Sequence, residues 1–176
     1  MRKAFGWLLG AVLVAASTGC DNDPVAPQLT AANLAACPNL ALPDSERVAA
    51  HVFATGAQIY RWDGNAWVLI SPSAVLTSDA ANKNTVGVHY QGPTWSALDG
   101  SLVTGTAAVT CSPDQNSIAW LLLNATSTSA PGMFNGVTHI HRVNTVGGKA
   151  PAAAGSAVGA LTSVPYQTEY FFYKPQ

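Results

Sequence analysis

The stretch Thr138 to Gly148, THIHRVNTVGG, sets two histidines one residue apart. In an extended chain alternate side chains share a face, so His139 and His141 are expected to point the same way, alongside Val137 and Val143. Several sheet-borne zinc and cupin-type sites use that spacing for two ligands. A metal centre needs a third donor and usually a fourth. The remaining candidates, His51, His89, Glu169 and the aspartates, form no motif with the pair. The competing reading is a strand carrying two solvated imidazoles into a glycine bend. That reading is preferred, with metal at His139 and His141 as the alternative and no cofactor expected.

Nucleophile chemistry has less support. The chain contains no G-x-S-x-G elbow, no H-E-x-x-H and no phosphate loop. Glu46 and Glu169 with the aspartates could supply a carboxylate pair for glycoside cleavage, but only residue type points that way. Asp63 and Asp99 each precede glycine, where a carboxylate ordinarily accepts backbone hydrogen bonds in a turn.

Helical periodicity is nearly absent after residue 50, and short β-rich runs alternate with Gly, Pro, Asn and Asp. AQIYRWDGNAWVLI reads as a hairpin around Asp63-Gly64-Asn65. Ser71-Pro72 is expected to stop the second strand. In NTVGVHYQGPTW, alternation sets Val86, Val88 and Tyr90 on the apolar face and Gly87, His89 and Gln91 on the other. A strand from Leu102 to Cys111 follows, then SIAWLLLNAT, apolar on both faces and so central. Thr126 to Gly136 reads as an exposed loop, Val137 to Asn144 as a strand, and TVGGKAPAAAGSAVGALTS as a long flexible excursion. The aromatic run VPYQTEYFFYK should close the sheet. The expected fold is all-β: one domain of about eight antiparallel strands, a β-sandwich or a closed β-barrel.

The first twenty residues, MRKAFGWLLGAVLVAASTGC, have the build of an export signal and are too short to span a bilayer. They resemble lipoprotein-type signal peptides, which implies lipidation at Cys20 and a lasting bilayer anchor. Residues 21–35 read as a flexible tether, and 36–176 as the folded domain. Outside the reducing cytosol, Cys37 and Cys111 are expected to form a disulfide. Of eight Lys and Arg, removing Arg2 and Lys3 leaves six against nine Asp and Glu, a net charge of −3. That balance gives nucleic acid nothing to bind.

GVHYQGPTW, DGS, IAWLLLNA, HRVNTVGGKAP and VPYQTEYFFYK, in this order, resemble an exported bacterial and fungal family, domain of unknown function 3455, from about Gly56 to Tyr173. The resemblance implies export and a β-rich fold, and no established reaction. It also implies cysteines in relatives at the position of Trp62 and after the GGKAP turn. Here Trp62 and a small Ala or Gly are expected to fill that space. His89, Gly92, Pro93, Trp95, Arg142, Asn144, Thr145, Gly147 and Gly148 match the family pattern. They admit two readings: glycine turns with supporting side chains, or a pocket where His89, Trp95, Arg142 and Asn144 converge. The expected role is an envelope protein, periplasmic or at the cell surface, that binds a small molecule or a neutral polymer. An enzyme using His89 and Arg142, or a purely structural surface protein, are the alternatives.

Overall fold

The computed structural model describes residues 29–176. The expected export signal, the expected lipidation site Cys20 and most of the expected tether lie outside them. Eight strands follow one another: β1 (Glu46–Trp62), β2 (Trp67–Thr77), β3 (Thr85–Tyr90), β4 (Thr94–Ala97), β5 (Leu102–Cys111), β6 (Trp120–Ser129), β7 (His139–Gly147) and β8 (Leu161–Pro175). Every neighbour is antiparallel, and the long β1 pairs with β2 on one side and β8 on the other. The sheet therefore closes as an up-and-down barrel, which decides between the two expected architectures. Closure gives every strand a partner on both sides over part of its length, while β2 before Ala74 pairs with β1 alone.

Alternation divides the aromatic β8 between two cores. Tyr170 and Phe172 point inward to Val52, Leu76, Trp95, Val103, Leu123 and Ile140. Phe171 and Tyr173 point outward and join Trp120, Leu122 and Val143 beneath a 3-10 turn at Pro38–Leu40. Cys37 in this outer layer is bonded to Cys111 on β5. Ala32 and Leu34, from the segment read as tether, pack here too.

The two barrel ends differ. At one, Phe134 is fully buried as a plug from the β6–β7 connection. Asp99 holds that plug, accepting hydrogen bonds from the Ser101 N–H and hydroxyl (2.8 and 2.6 Å) and from the Met133 N–H (2.7 Å). The other end carries the β1–β2, β3–β4, β5–β6 and β7–β8 connections.

Four sequence expectations change. The strand does not stop at Ser71-Pro72: β2 runs through Pro72. There β3 has not yet begun to pair, since its ladder starts at Ala74, so a missing N–H on that flank is tolerated. The faces of β3 are inverted: His89 and Gly87 are buried, while Val88 and Tyr90 are exposed. The chain is tight at this point, and a Cβ on Gly87 would collide with the Ser96 carbonyl oxygen. Thr126 to Gly136 is not all loop, because β6 continues to Ser129 and Phe134 enters the core. The excursion after Gly148 is pinned rather than loose: Trp67 Nε1 donates to the Ala153 carbonyl (2.8 Å), and Gly155 lies against Trp62. The β1–β2 hairpin is as expected, with Asp63 Oδ1 accepting from Asn65 and Ala66 N–H (2.8 and 2.7 Å).

The disulfide joins cysteines 74 residues apart. In the chain-entropy model a loop of that length contributes roughly 4 kcal/mol. The double variant Cys37→Ser, Cys111→Ser is expected to lose stability of that order, read as a lower denaturant midpoint, with barrel circular dichroism kept. An unchanged midpoint contradicts the clamp.

Candidate functional site

The site grows from the inward face at the end opposite the Phe134 plug. His89 on β3 and Trp95 on β4 are direct partners across the ladder, and their rings stack at 4.4 Å with an 11° interplanar angle. His89 Nδ1 lies 2.8 Å from the Thr94 carbonyl oxygen. A carbonyl only accepts, so Nδ1 carries the proton and Nε2 keeps a lone pair. Burial pushes the His89 pKa down to about 4, outweighing the Thr94 hydrogen bond, and Arg142 pushes the same way. The ring is neutral at pH 7.

Arg142 and Tyr170 are partners between β7 and β8 and both face the interior. Arg142 spends Nε and Nη2 on the Ala119 carbonyl (3.1 and 2.8 Å). Among the described residues no carboxylate pairs with it. His89, Trp95, Arg142 and Tyr170, with Gln58, Leu121 and Leu123, line a recess of about 60 Å³ whose rim is Leu69, Pro72 and Pro93. Leu69 and Pro93 are exposed, whereas Trp95 and Tyr170 at the floor are about 1% exposed.

Among the described residues, four buried polar atoms at this end meet no hydrogen-bond partner: Gln58 Nε2, Trp95 Nε1, and the Tyr166 and Tyr170 hydroxyls. Tyr170 lies near enough to Tyr166, Arg142 and Trp95 for each to influence its ionisation, yet none meets it in hydrogen-bonding geometry. Burial raises the pKa of both tyrosines, so both hydroxyls stay protonated. Leaving a buried donor unmet costs about 1–3 kcal/mol.

Three of the four residues expected to converge therefore do so. Asn144 does not. It sits at a bulge in β7 with φ +53°, a conformation asparagine tolerates, and donates on the outer surface to Glu169 Oε1 at 2.8 Å. Glu169 also meets His51 Nε2 at 2.7 Å, and the His51 ring stacks on Phe171 at 3.9 Å.

His139 and His141 share the outer face as the spacing implied, but they are not two solvated rings. His141 is buried beneath the N-terminal segment. Its Nε2 lies 2.8 Å from the Leu40 carbonyl oxygen and therefore donates, which leaves Nδ1 to accept from the Tyr173 hydroxyl at 3.0 Å. Burial lowers its pKa. His139 Nδ1 meets Glu46 at 3.0 Å instead. The pair thus fastens the outer layer, and among the described residues no three His, Cys, Asp or Glu side chains gather for a metal.

Sequence reasoning missed Gln58, Tyr166 and Tyr170. Tyr166 and Tyr170 lie in a run read only as closing strand, and the signal for them was their parity with Phe172.

Residues 43–174 match the model of a family described as protein of unknown function (DUF3455). The chain belongs to that family. The match begins before Gly56, takes in all of β1 and ends one residue short of the end of β8, so the family unit is the whole barrel. Comparison with curated proteins and with solved structures returned no match.

An imidazole neutral when folded but titrating near 6.5 when unfolded ties stability to pH. Between pH 6.5 and 4 the unfolded chain binds more protons at His89, so stability falls on acidification, by on the order of 3 kcal/mol, and levels off for this group below about 4. His141 adds in the same direction. The lowered carboxyls of Asp63, Asp99 and Asp114 lose their contribution only below about pH 4. Denaturant unfolding across pH 4.5–7 should show this slope, and His89→Gln should flatten it. Equal slopes in both proteins contradict the assignment.

Proposed function

We propose that this DUF3455 protein is an exported, lipid-anchored binding protein that holds a small molecule in the mouth of its barrel. Eight-stranded barrels have an interior just wide enough to be filled by side chains or to hold one small ligand, and barrel mouths are common ligand sites. The observation that carries the reading is the recess floor. Buried donors from three strands, Gln58, Trp95 and Tyr170, line one opening and meet no acceptor among the described residues, and the half-buried Arg142 beside them meets only the neutral Ala119 carbonyl there. A volume near 60 Å³ suits a compact group better than a polymer chain. General-base catalysis at neutral pH works best with a base titrating near that pH; His89, held at about 4, is a weak one.

An NMR screen of small polar fragments tests the site. Binders should shift the Trp95 indole and Arg142 Nε–H resonances, and Leu121→Trp, which fills the recess beside Arg142, should abolish those shifts. Fragments that bind while leaving both resonances in place contradict it.

Anchoring through Cys20 rests on the leader sequence and is supported by a disulfide suited to an oxidising compartment. Cys20→Ala should move the protein from the membrane fraction to the soluble exported fraction and abolish incorporation of labelled fatty acid. Incorporation unchanged by that substitution contradicts the anchor.

A further inference from the structure

We infer that the ligand of this recess is a small organic acid, bound as its carboxylate with the charged head inward and an apolar tail at the rim. The inference rests on the binding reading above and specifies its chemistry. Gln58 Nε2 and Trp95 Nε1 can only donate, the Tyr170 hydroxyl has its proton to give, and none meets an acceptor in hydrogen-bonding geometry among the described residues. Arg142 adds a permanent positive charge whose hydrogen-bond acceptor among the described residues is the neutral Ala119 carbonyl. A half-buried cation beside the buried rings of His89, Trp95 and Tyr170, with no counter-charge among the described residues, favours an anion there. One carboxylate answers both demands, since it offers about four acceptor sites and the missing negative charge.

Size and shape narrow the class. One water needs roughly 10–15 Å³ of such volume, so about 60 Å³ admits a carboxylate and a short stub of carbon. The rest of the molecule must lie against Leu69, Pro72 and Pro93, which are apolar. A sugar, rich in donors and acceptors alike, would meet hydrocarbon at the rim and leave Arg142 uncompensated. An amine would face the guanidinium. His89, neutral and with its Nε2 lone pair free, lines the same wall, and a bound anion would draw a proton towards it.

Matched probes of one length test the inference: butyrate, butyramide and butylammonium, with sulfate as an inorganic anion, each titrated into the folded protein while the Trp95 indole resonance is followed. Butyrate is expected to bind at least tenfold more tightly than butyramide, with butylammonium weaker still. Arg142→Gln should weaken butyrate at least tenfold while hardly changing butyramide. Because that variant also loosens Ala119, a second readout uses the unaltered chain: saturating butyrate should raise the His89 titration midpoint above about 4. Butyramide or butylammonium binding as well as butyrate overturns the carboxylate and leaves the recess reading standing. Sulfate competing as well as butyrate itself overturns the organic acid in favour of a general anion site. If no probe moves the Trp95 resonance, the inference fails, and if neutral polar fragments also fail, the recess reading falls with it.

Discussion

The ladder between β1 and β8 decides everything else in this molecule. It runs from Glu46 opposite Pro175 to Arg61 opposite Leu161, and it turns a meander of hairpins into a ring. A strand in an open sheet can present either face to a core, but a strand in a closed ring has an inside and an outside. A one-residue slip exchanges them all. With Tyr170 and Phe172 inside, Phe171 and Tyr173 must be outside, and two separate apolar layers follow from a single aromatic run. The outer layer would be bare hydrocarbon without cover. The segment around Cys37 and Leu40 supplies that cover, and the disulfide and the buried His141 hold it down.

The inner layer meets a different constraint. A ring this small must fill its interior with side chains, and the filling is uneven along the axis. At the Phe134 end the Asp99–Ser101 turn satisfies the plug's backbone, so the core there is sealed. At the opposite end Gln58, Trp95, Tyr166 and Tyr170 bring polar atoms inward that no described residue satisfies. That polar end is where the molecule departs from simple core packing.

Much of the architecture was legible because it depends on local chemistry. Asp63-Gly64-Asn65 specifies its hairpin through side-chain hydrogen bonds and a glycine at positive φ. Leu102 to Cys111 was bounded to the residue. The inversion at β3 shows where alternation fails. Val86, Val88 and Tyr90 look like the buried face, yet His89 goes inside because it can stack on Trp95 and donate to Thr94, neither of which is local hydropathy. Of the four residues expected to form a pocket, three meet because their strands are parity-matched across the ring. Asn144 was lost to a bulge between Val143 and Val146 that no periodicity announces. The H-x-H spacing correctly shared a face, but nothing in THIHRVNTVGG indicates that a distant Leu40 would cover it.

The most direct measurement is the labelling rate of single cysteines placed at neighbouring positions of β3, in a folded chain with Cys20 replaced by Ser and the disulfide intact. Val88→Cys should react with a maleimide at close to the rate of an exposed thiol, and His89→Cys should react at least a hundredfold more slowly unless the protein is unfolded. The reverse order, with position 89 fast and 88 protected, would mean that the ring is closed on the other parity and that no polar recess of this composition exists.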